Sequence, residues 1–203
     1  MLRLASGAFY FAVWFKVNKV KGKKLKTKEV NSKLIFILGG ARSGKSAYAL
    51  KLAESMTGER LYLATAEALD KEMAERIKKH KKERGNNWTT IEEPIKIIDV
   101  IKENKKYDVI LLDCLTLWIT NLMHTSFKSE IRNPKSEISK FISACKNSKA
   151  NIVIVSNEVG MGIVPDNPLA RRFRDIAGIA NQKVAAAADE VYFVVSGIVM
   201  RMK

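Results

Sequence analysis

The run Leu34-Ile35-Phe36-Ile37-Leu38 passes directly into Gly39-Gly40-Ala41-Arg42-Ser43-Gly44-Lys45-Ser46, a complete G-x-x-x-x-G-K-S loop. Consecutive apolar residues of this length read as a buried strand, and Ala47, Ala49, Leu50, Leu52 and Ala53 read as the start of a helix. Strand, glycine-rich turn and helix in that order leave few folds open. The glycines let successive backbone N–H groups turn inward, and the helix aims its positive N-terminal end at the same point. Such a loop holds a nucleoside triphosphate, with Lys45 expected on the β/γ-phosphates and the Ser46 hydroxyl on Mg2+.

Beyond Leu34, apolar runs alternate with helical patterns, which predicts βαβ units and a largely parallel sheet flanked by helices. Strands are expected at 34–38, 60–64, 108–112, 151–156 and 190–196, and helices at 44–56, 70–84, 94–103, 115–124, 135–146 and 168–187. The segment Asn157 to Asn167 reads as an irregular loop containing glycine. The pair Ser196-Gly197 predicts a tight turn into a short antiparallel edge strand at the C-terminal end. A chain of 203 residues suits one α/β domain with a sizeable core.

Charge is distributed unevenly. The chain carries 36 basic and 21 acidic residues, a net +15, and residues 1–33 hold nine of the basic residues against Glu29 alone. The domain is therefore expected to span 34–203, with 1–33 as a basic and aromatic extension. A moderately basic nucleotide enzyme needs no nucleic acid to account for its charge. Within the extension, Leu4 to Phe15 is apolar and aromatic but shorter than the roughly 20 residues of a membrane span. No small-x-small cleavage site precedes its basic stretch. Two readings stay open: peripheral contact with an anionic membrane through residues 1–33, or a start assigned too far upstream, which would make the extension dispensable. Cys114 and Cys145 are far apart and lack C-x-x-C spacing, so a cytoplasmic setting is expected, with neither a disulfide framework nor structural zinc.

Two further positions carry chemistry. The strand Val109-Ile110-Leu111-Leu112 ends at Asp113, and a carboxylate at the C-terminal end of such a strand points into the nucleotide crevice, where it can hold Mg2+ directly or through water. Helical spacing puts Arg76, His80 and Arg84 on one stripe. Neighbouring cations keep such an imidazole neutral and nucleophilic while attracting a polyphosphate. A solvated basic helix on which a histidine happens to fall is the competing reading from this segment alone. His124 has no comparable setting and reads as a surface or interface residue.

With these residues in place, the chain resembles the bifunctional adenosylcobinamide kinase/adenosylcobinamide-phosphate guanylyltransferase family of cobalamin biosynthesis. The likeness rests on Gly39–Ser46, on the pattern running from Asp70 through Arg76, His80, Arg84, Trp88 and Thr90 to Glu92, and on Asn157-Glu158-Val159-Gly160-Met161-Gly162-Ile163-Val164-Pro165. It continues through Arg174-Asp175, Gly178, Asn181-Gln182 and Ala188-Asp189-Glu190-Val191 to Ser196-Gly197, and so covers residues 34–198.

The resemblance implies a RecA-like phosphate-loop NTPase fold and two reactions. Adenosylcobinamide is first phosphorylated on its aminopropanol hydroxyl by a nucleoside triphosphate, ATP or GTP. GTP then guanylylates a histidine, which falls on His80, and the phosphorylated cobinamide takes up the GMP to give adenosylcobinamide-GDP. The family's nucleotide contacts fall on Gly39, Gly40, Ala41, Arg42, Ser43, Gly44, Lys45 and Ser46, on Ala64, Thr65 and Ala66, on Lys81, Lys82, Glu83 and Arg84, and on Glu92 and Asp113. Some members carry Glu in place of Asp113. A homo-oligomer, a trimer, is also implied. Arg171, Arg172 and Arg174 read either as phosphate ligands, as contacts to an acidic neighbouring subunit, or as a solvated helix face. Gly160 and Gly162 read either as a close approach to a ligand or as turn positions of positive φ. Two other functions remain to be separated from the family reading: an ordinary phosphate-loop kinase with His80 idle, and a nucleotide-dependent membrane or nucleic-acid binder that uses residues 1–33.

Overall fold

The computed structural model describes residues 32–68, 71, 74–75, 77–78, 81, 85, 87–128 and 133–203. Seven strands, β1 (Leu34–Gly39), β2 (Arg60–Ala64), β3 (Thr89–Glu92), β4 (Val109–Asp113), β5 (Asn151–Asn157), β6 (Glu190–Val195) and β7 (Ile198–Arg201), form one sheet. Its order is β3-β2-β4-β5-β1-β6-β7. The first six strands are parallel and β7 is antiparallel to β6.

The helices are α1 (Lys45–Glu54), α2 (Ile97–Glu103), α3 (Leu115–Lys128), α4 (Pro134–Lys146) and α5 (Pro168–Ala187). Asparagine side chains start the last two. Asn133 Oδ1 accepts from Lys135 N at 3.0 Å and Asn167 Oδ1 from Leu169 N at 2.8 Å, with proline at the first helical position of each.

Alternation along the strands divides the interior in two. Phe36, Leu61, Leu63, Ile110, Leu112, Ile152 and Ile154 face α2–α5, where Trp118 and Phe141 pack at a ring separation of 5.2 Å. Ile35, Ile37, Tyr62, Val109, Leu111, Val153 and Val155 face the other way, towards Ala49 and Ala53 of α1. Central strands buried on both faces explain why β1, β4 and β5 appear in the sequence as unbroken apolar runs. Among the described residues, no helix is long and apolar enough to cross a membrane.

The structure adds one strand to the expected set. Thr89–Glu92 pairs in parallel with β2 as the sheet edge, and three of its four residues are exposed, so no apolar run marks it. Helix α3 continues to Lys128, past the expected end at 124. Most of the helix expected over 70–84 lies outside the described residues. The Ser196-Gly197 turn is present, with φ of 52° and 78°, the left-handed pair that a two-residue hairpin requires. Gly160 and Gly162 do not have positive φ, which removes the turn reading for both.

Candidate active site

Pairing register brings the site together at the C-terminal edge of the sheet. Gly39 lies beside Asn157 on one side and Val194 on the other, Asp113 lies between Val155 and Ala64, and Ala64 lies beside Glu92. One strand, β5, therefore separates the strand that delivers the glycine loop from the strand that delivers Asp113.

The loop is shaped by its backbone. Arg42 and Gly44 have φ of 56° and 94°, and these left-handed residues turn successive N–H groups towards the start of α1. Lys45 is buried and folds back to donate from Nζ to Gly40 O at 2.9 Å. The Ser43 hydroxyl is buried without a hydrogen-bond partner, the kind of orphan that a phosphate oxygen satisfies. Two contacts hold the loop from outside: Glu158 N donates to Gly39 O at 3.0 Å, and Gly197 N donates to Ser43 O at 2.9 Å.

Gly39 is glycine because nothing larger fits. A Cβ there would fall within 3.0 Å of both Val194 O and Ser43 Oγ, and the first of these is backbone. Gly39→Ala is expected to cost about 2 kcal/mol, roughly 6 °C in Tm, and to weaken nucleotide binding by displacing the loop. Thermal denaturation and nucleotide titration check this; an unchanged midpoint with unchanged affinity would refute the packing argument.

Asp113 is half-buried, and Tyr62 Oη donates to its Oδ2 at 2.6 Å. The residues that follow it belong to a buried polar network. Thr65 Oγ1 donates to Cys114 O and accepts from Cys114 N, both at 2.8 Å, and Thr65 N donates to Asp113 O at 3.1 Å. Asn157 Nδ2 donates to Thr116 Oγ1 at 3.0 Å. Asn181 Nδ2 donates to Asn157 O at 3.2 Å, and Ser156 Oγ donates to Asn181 Oδ1 at 2.8 Å. Burial pushes the Cys114 thiol up to about 11, with the Asp113 charge adding to the rise and Thr116 and Lys45 opposing it. At working pH Cys114 is therefore a neutral thiol within the network.

The remaining residues expected to contact nucleotide lie along the same edge or outside the described residues. Thr65 is buried, with Ala64 and Ala66 flanking it. Glu92 is ion-paired with Lys81, both side chains about half exposed. Arg76, His80, Lys82, Glu83 and Arg84 lie outside the described residues. Arg171 Nη1 donates to Pro165 O and Asp166 O at 2.9 and 2.6 Å, so it holds the start of α5 against the preceding loop. Arg172 and Arg174 line a cleft of about 720 Å³ with Lys135, Gly160, Asp175 and Gln182. His124 is exposed and lines a smaller hollow with Met123 and Phe173.

Tyr62, Cys114, Thr116 and Ser156 do not stand out in the sequence. The available signal is polar residues at the C-terminal ends of buried strands, as where Ile152–Val155 gives way to Ser156-Asn157.

A lysine folded over its own glycine loop, with an acidic strand end across β5 of a mostly parallel sheet, defines a phosphate-loop protein of the α/β class. The family model described as cobinamide kinase / cobinamide phosphate guanyltransferase matches residues 35–202. The chain belongs to that family, whose members are bifunctional enzymes of cobalamin biosynthesis.

Among its relatives, the bifunctional adenosylcobalamin biosynthesis protein CobU of Escherichia coli (strain K12) is 42% identical over 184 residues, covering 84% of this chain and 99% of that protein. The protein of the same name from Salmonella typhimurium (strain LT2) is 44% identical over 188 residues, with the same coverage. Among solved structures, the RadB recombinase is similar with a TM-score of 0.46 at 13% identity, covering 79% of this chain and 73% of that one.

Proposed function

We propose that this enzyme phosphorylates the aminopropanol hydroxyl of adenosylcobinamide with ATP or GTP, and then transfers GMP from GTP to the product through a guanylyl-histidine on His80. In the first step the hydroxyl oxygen attacks the γ-phosphorus, the bond to the bridging oxygen breaks, and the nucleoside diphosphate leaves. In the second, an imidazole nitrogen of His80 attacks the α-phosphorus of GTP and pyrophosphate leaves. The phosphate oxygen of the phosphorylated cobinamide then displaces the imidazole, giving adenosylcobinamide-GDP and restoring His80. Splitting the transfer in two replaces one difficult encounter by two easier ones.

The observation that supports this reading is that the Lys45 loop and the Asp113 strand end lie on the same edge of the sheet, one strand apart. Lys45 and the inward-turned N–H groups stabilise charge on the phosphates during both transfers. The site suits Mg2+, because Ser46 and Asp113 are the hard oxygen donors that such a cation takes. When bound, Mg2+ neutralises phosphate charge and aligns the leaving group.

Incubation with GTP labelled in the α-phosphate is expected to yield a protein-bound GMP that is acid-labile and base-stable. Absence of the adduct while phosphoryl transfer persists would reduce the protein to a kinase.

The same reading carries a trimeric assembly. The sheet edge at β7 supports it by exposing Ile198, Met200 and Met202, apolar residues that a neighbouring subunit would cover. Residues 34–203 form the working domain in this proposal, and a chain beginning at Lys33 is expected to fold and retain both activities. Among the described residues, it keeps the 2.7 Å ion pair of Lys33 with Glu190 and the bond from Lys33 N to Asn151 Oδ1, and loses the Ser32 Oγ bond to Ser148 O. Any role of residues 1–33 is then peripheral association with anionic lipid, at about 1 kcal/mol for each lysine near the surface. Liposome flotation of the full and shortened chains, run beside both assays, separates the two roles; a folded shortened chain without guanylylation would move the domain boundary.

A further inference from the structure

We infer that Tyr62 is a positioning residue that fixes the Asp113 carboxylate, and so sets how strongly a divalent cation adds to nucleotide binding. The inference rests on the reading of Asp113 as the metal-facing carboxylate.

Tyr62 stands on β2, whose Ala64 is paired with Asp113. Its neighbours Leu61 and Leu63 face the helices α2–α5, whereas Tyr62 faces the side of α1 and is only 5% exposed. A leucine or phenylalanine would fill the same apolar space. A buried phenol, by contrast, must find an acceptor, and this one is 2.6 Å from Asp113 Oδ2, a short bond strengthened by the carboxylate charge.

The ring is braced from behind. Trp88 meets it edge-on, with centroids 6.1 Å apart and planes at 86°. Trp88 Nε1 in turn donates to Glu54 Oε1 at 3.3 Å, and Glu54 is the last residue of α1, the helix that begins at Lys45. Asp113 is thus tied through two aromatic rings to the far end of the helix that carries Lys45 and Ser46.

The consequence is a carboxylate with a fixed orientation. Oδ2 accepts from the phenol, and among the described residues Oδ1 has no such anchor and is placed to take a cation directly or through water. A swing of the carboxylate away from this orientation would break the bond to Tyr62.

Tyr62→Phe removes the hydroxyl and keeps the ring against Trp88. Titration of a fluorescent GTP analogue into the full chain, once in EDTA and once with Mg2+, measures the gain in affinity that the cation brings. Tyr62→Phe is expected to bind as wild type does in EDTA and to lose about tenfold of the Mg2+-dependent gain, the effect of one hydrogen bond to a charged group. The Mg2+ concentration for half-maximal phosphoryl transfer should rise, while KM for nucleotide at saturating Mg2+ stays near its original value. Asp113→Asn should lose the gain as well, and the double variant Tyr62→Phe/Asp113→Asn should lose no more than Asp113→Asn alone.

A full Mg2+-dependent gain in Tyr62→Phe, with the gain lost in Asp113→Asn, would overturn the positioning role and leave the metal reading standing. A full gain in Asp113→Asn would overturn both. Strictly additive losses in the double variant would overturn the coupling between the two residues. Should Tyr62→Phe denature early, the same titration on Trp88→Phe, which retains the phenol but loses the Glu54 bond, tests the brace: a wild-type gain would overturn it, and a reduced one supports it.

Discussion

Lys45→Ala is expected to impair both half-reactions together, by at least about 10²-fold in kcat for each, roughly 3 kcal/mol of transition-state charge stabilisation. In the proposed mechanism both reactions place a triphosphate in the same loop, where Gly40 O holds the Lys45 ammonium. Phosphoryl transfer passes through a state whose charge is spread over the phosphate oxygens, so loss of the ammonium weakens the transition state more than the ground state. The side chain is buried, so thermal denaturation must accompany the rate measurements to separate lost chemistry from lost folding. Near-normal rates of either kinase turnover or guanylylation in a folded Lys45→Ala protein would place that triphosphate elsewhere.

His80→Ala divides the two activities instead of removing both. The covalent GMP adduct and the transfer to phosphorylated cobinamide should disappear, while phosphoryl transfer continues at a substantial rate. The kinase step needs the loop, the cation and the acceptor in line, and none of these requires an imidazole. The expectation is motivated by the basic stripe of Arg76, His80 and Arg84 and by membership of the family. Gel separation after incubation with α-labelled GTP reads the adduct directly, and an adduct that persists in His80→Ala would assign the nucleophile to another residue. Together the two substitutions separate a shared nucleotide pocket from a dedicated acceptor of GMP.

Local order along the chain makes part of this site legible in the sequence. The loop Gly39–Ser46 lies between an apolar run and a helical pattern, and Asp113 ends another apolar run, so both are placed by neighbours in sequence. The strands β1, β4 and β5 are legible for the same reason, since burial on both faces leaves few polar positions to break the pattern. Strand β3 is hidden because an edge strand with three exposed residues needs no apolar run.

Tyr62 is hidden differently. Its role depends on which strand lies beside β2 and in what register, and a parallel sheet joins strands 51 positions apart in that one hydrogen bond. Thr116 and Asn157 likewise meet across 41 positions. Glycine choice is only half legible: the sequence admits two roles for Gly160 and Gly162, and backbone angles remove one of them.

The hairpin turn that touches the phosphate loop also bears on the order in which the protein acquires activity during synthesis. Strand β1 leaves the ribosome before every other strand of the sheet, yet its two partners are β5 and β6, and the loop behind it is tied down by Gly197. A nascent chain that has displayed the whole G-x-x-x-x-G-K-S motif therefore still lacks both walls of its first strand for more than a hundred residues of elongation. Contacts so distant in sequence close slowly, because the intervening chain must be ordered first. On the proposed reading of this loop as the nucleotide site, binding is expected only once the chain has extended past Gly197.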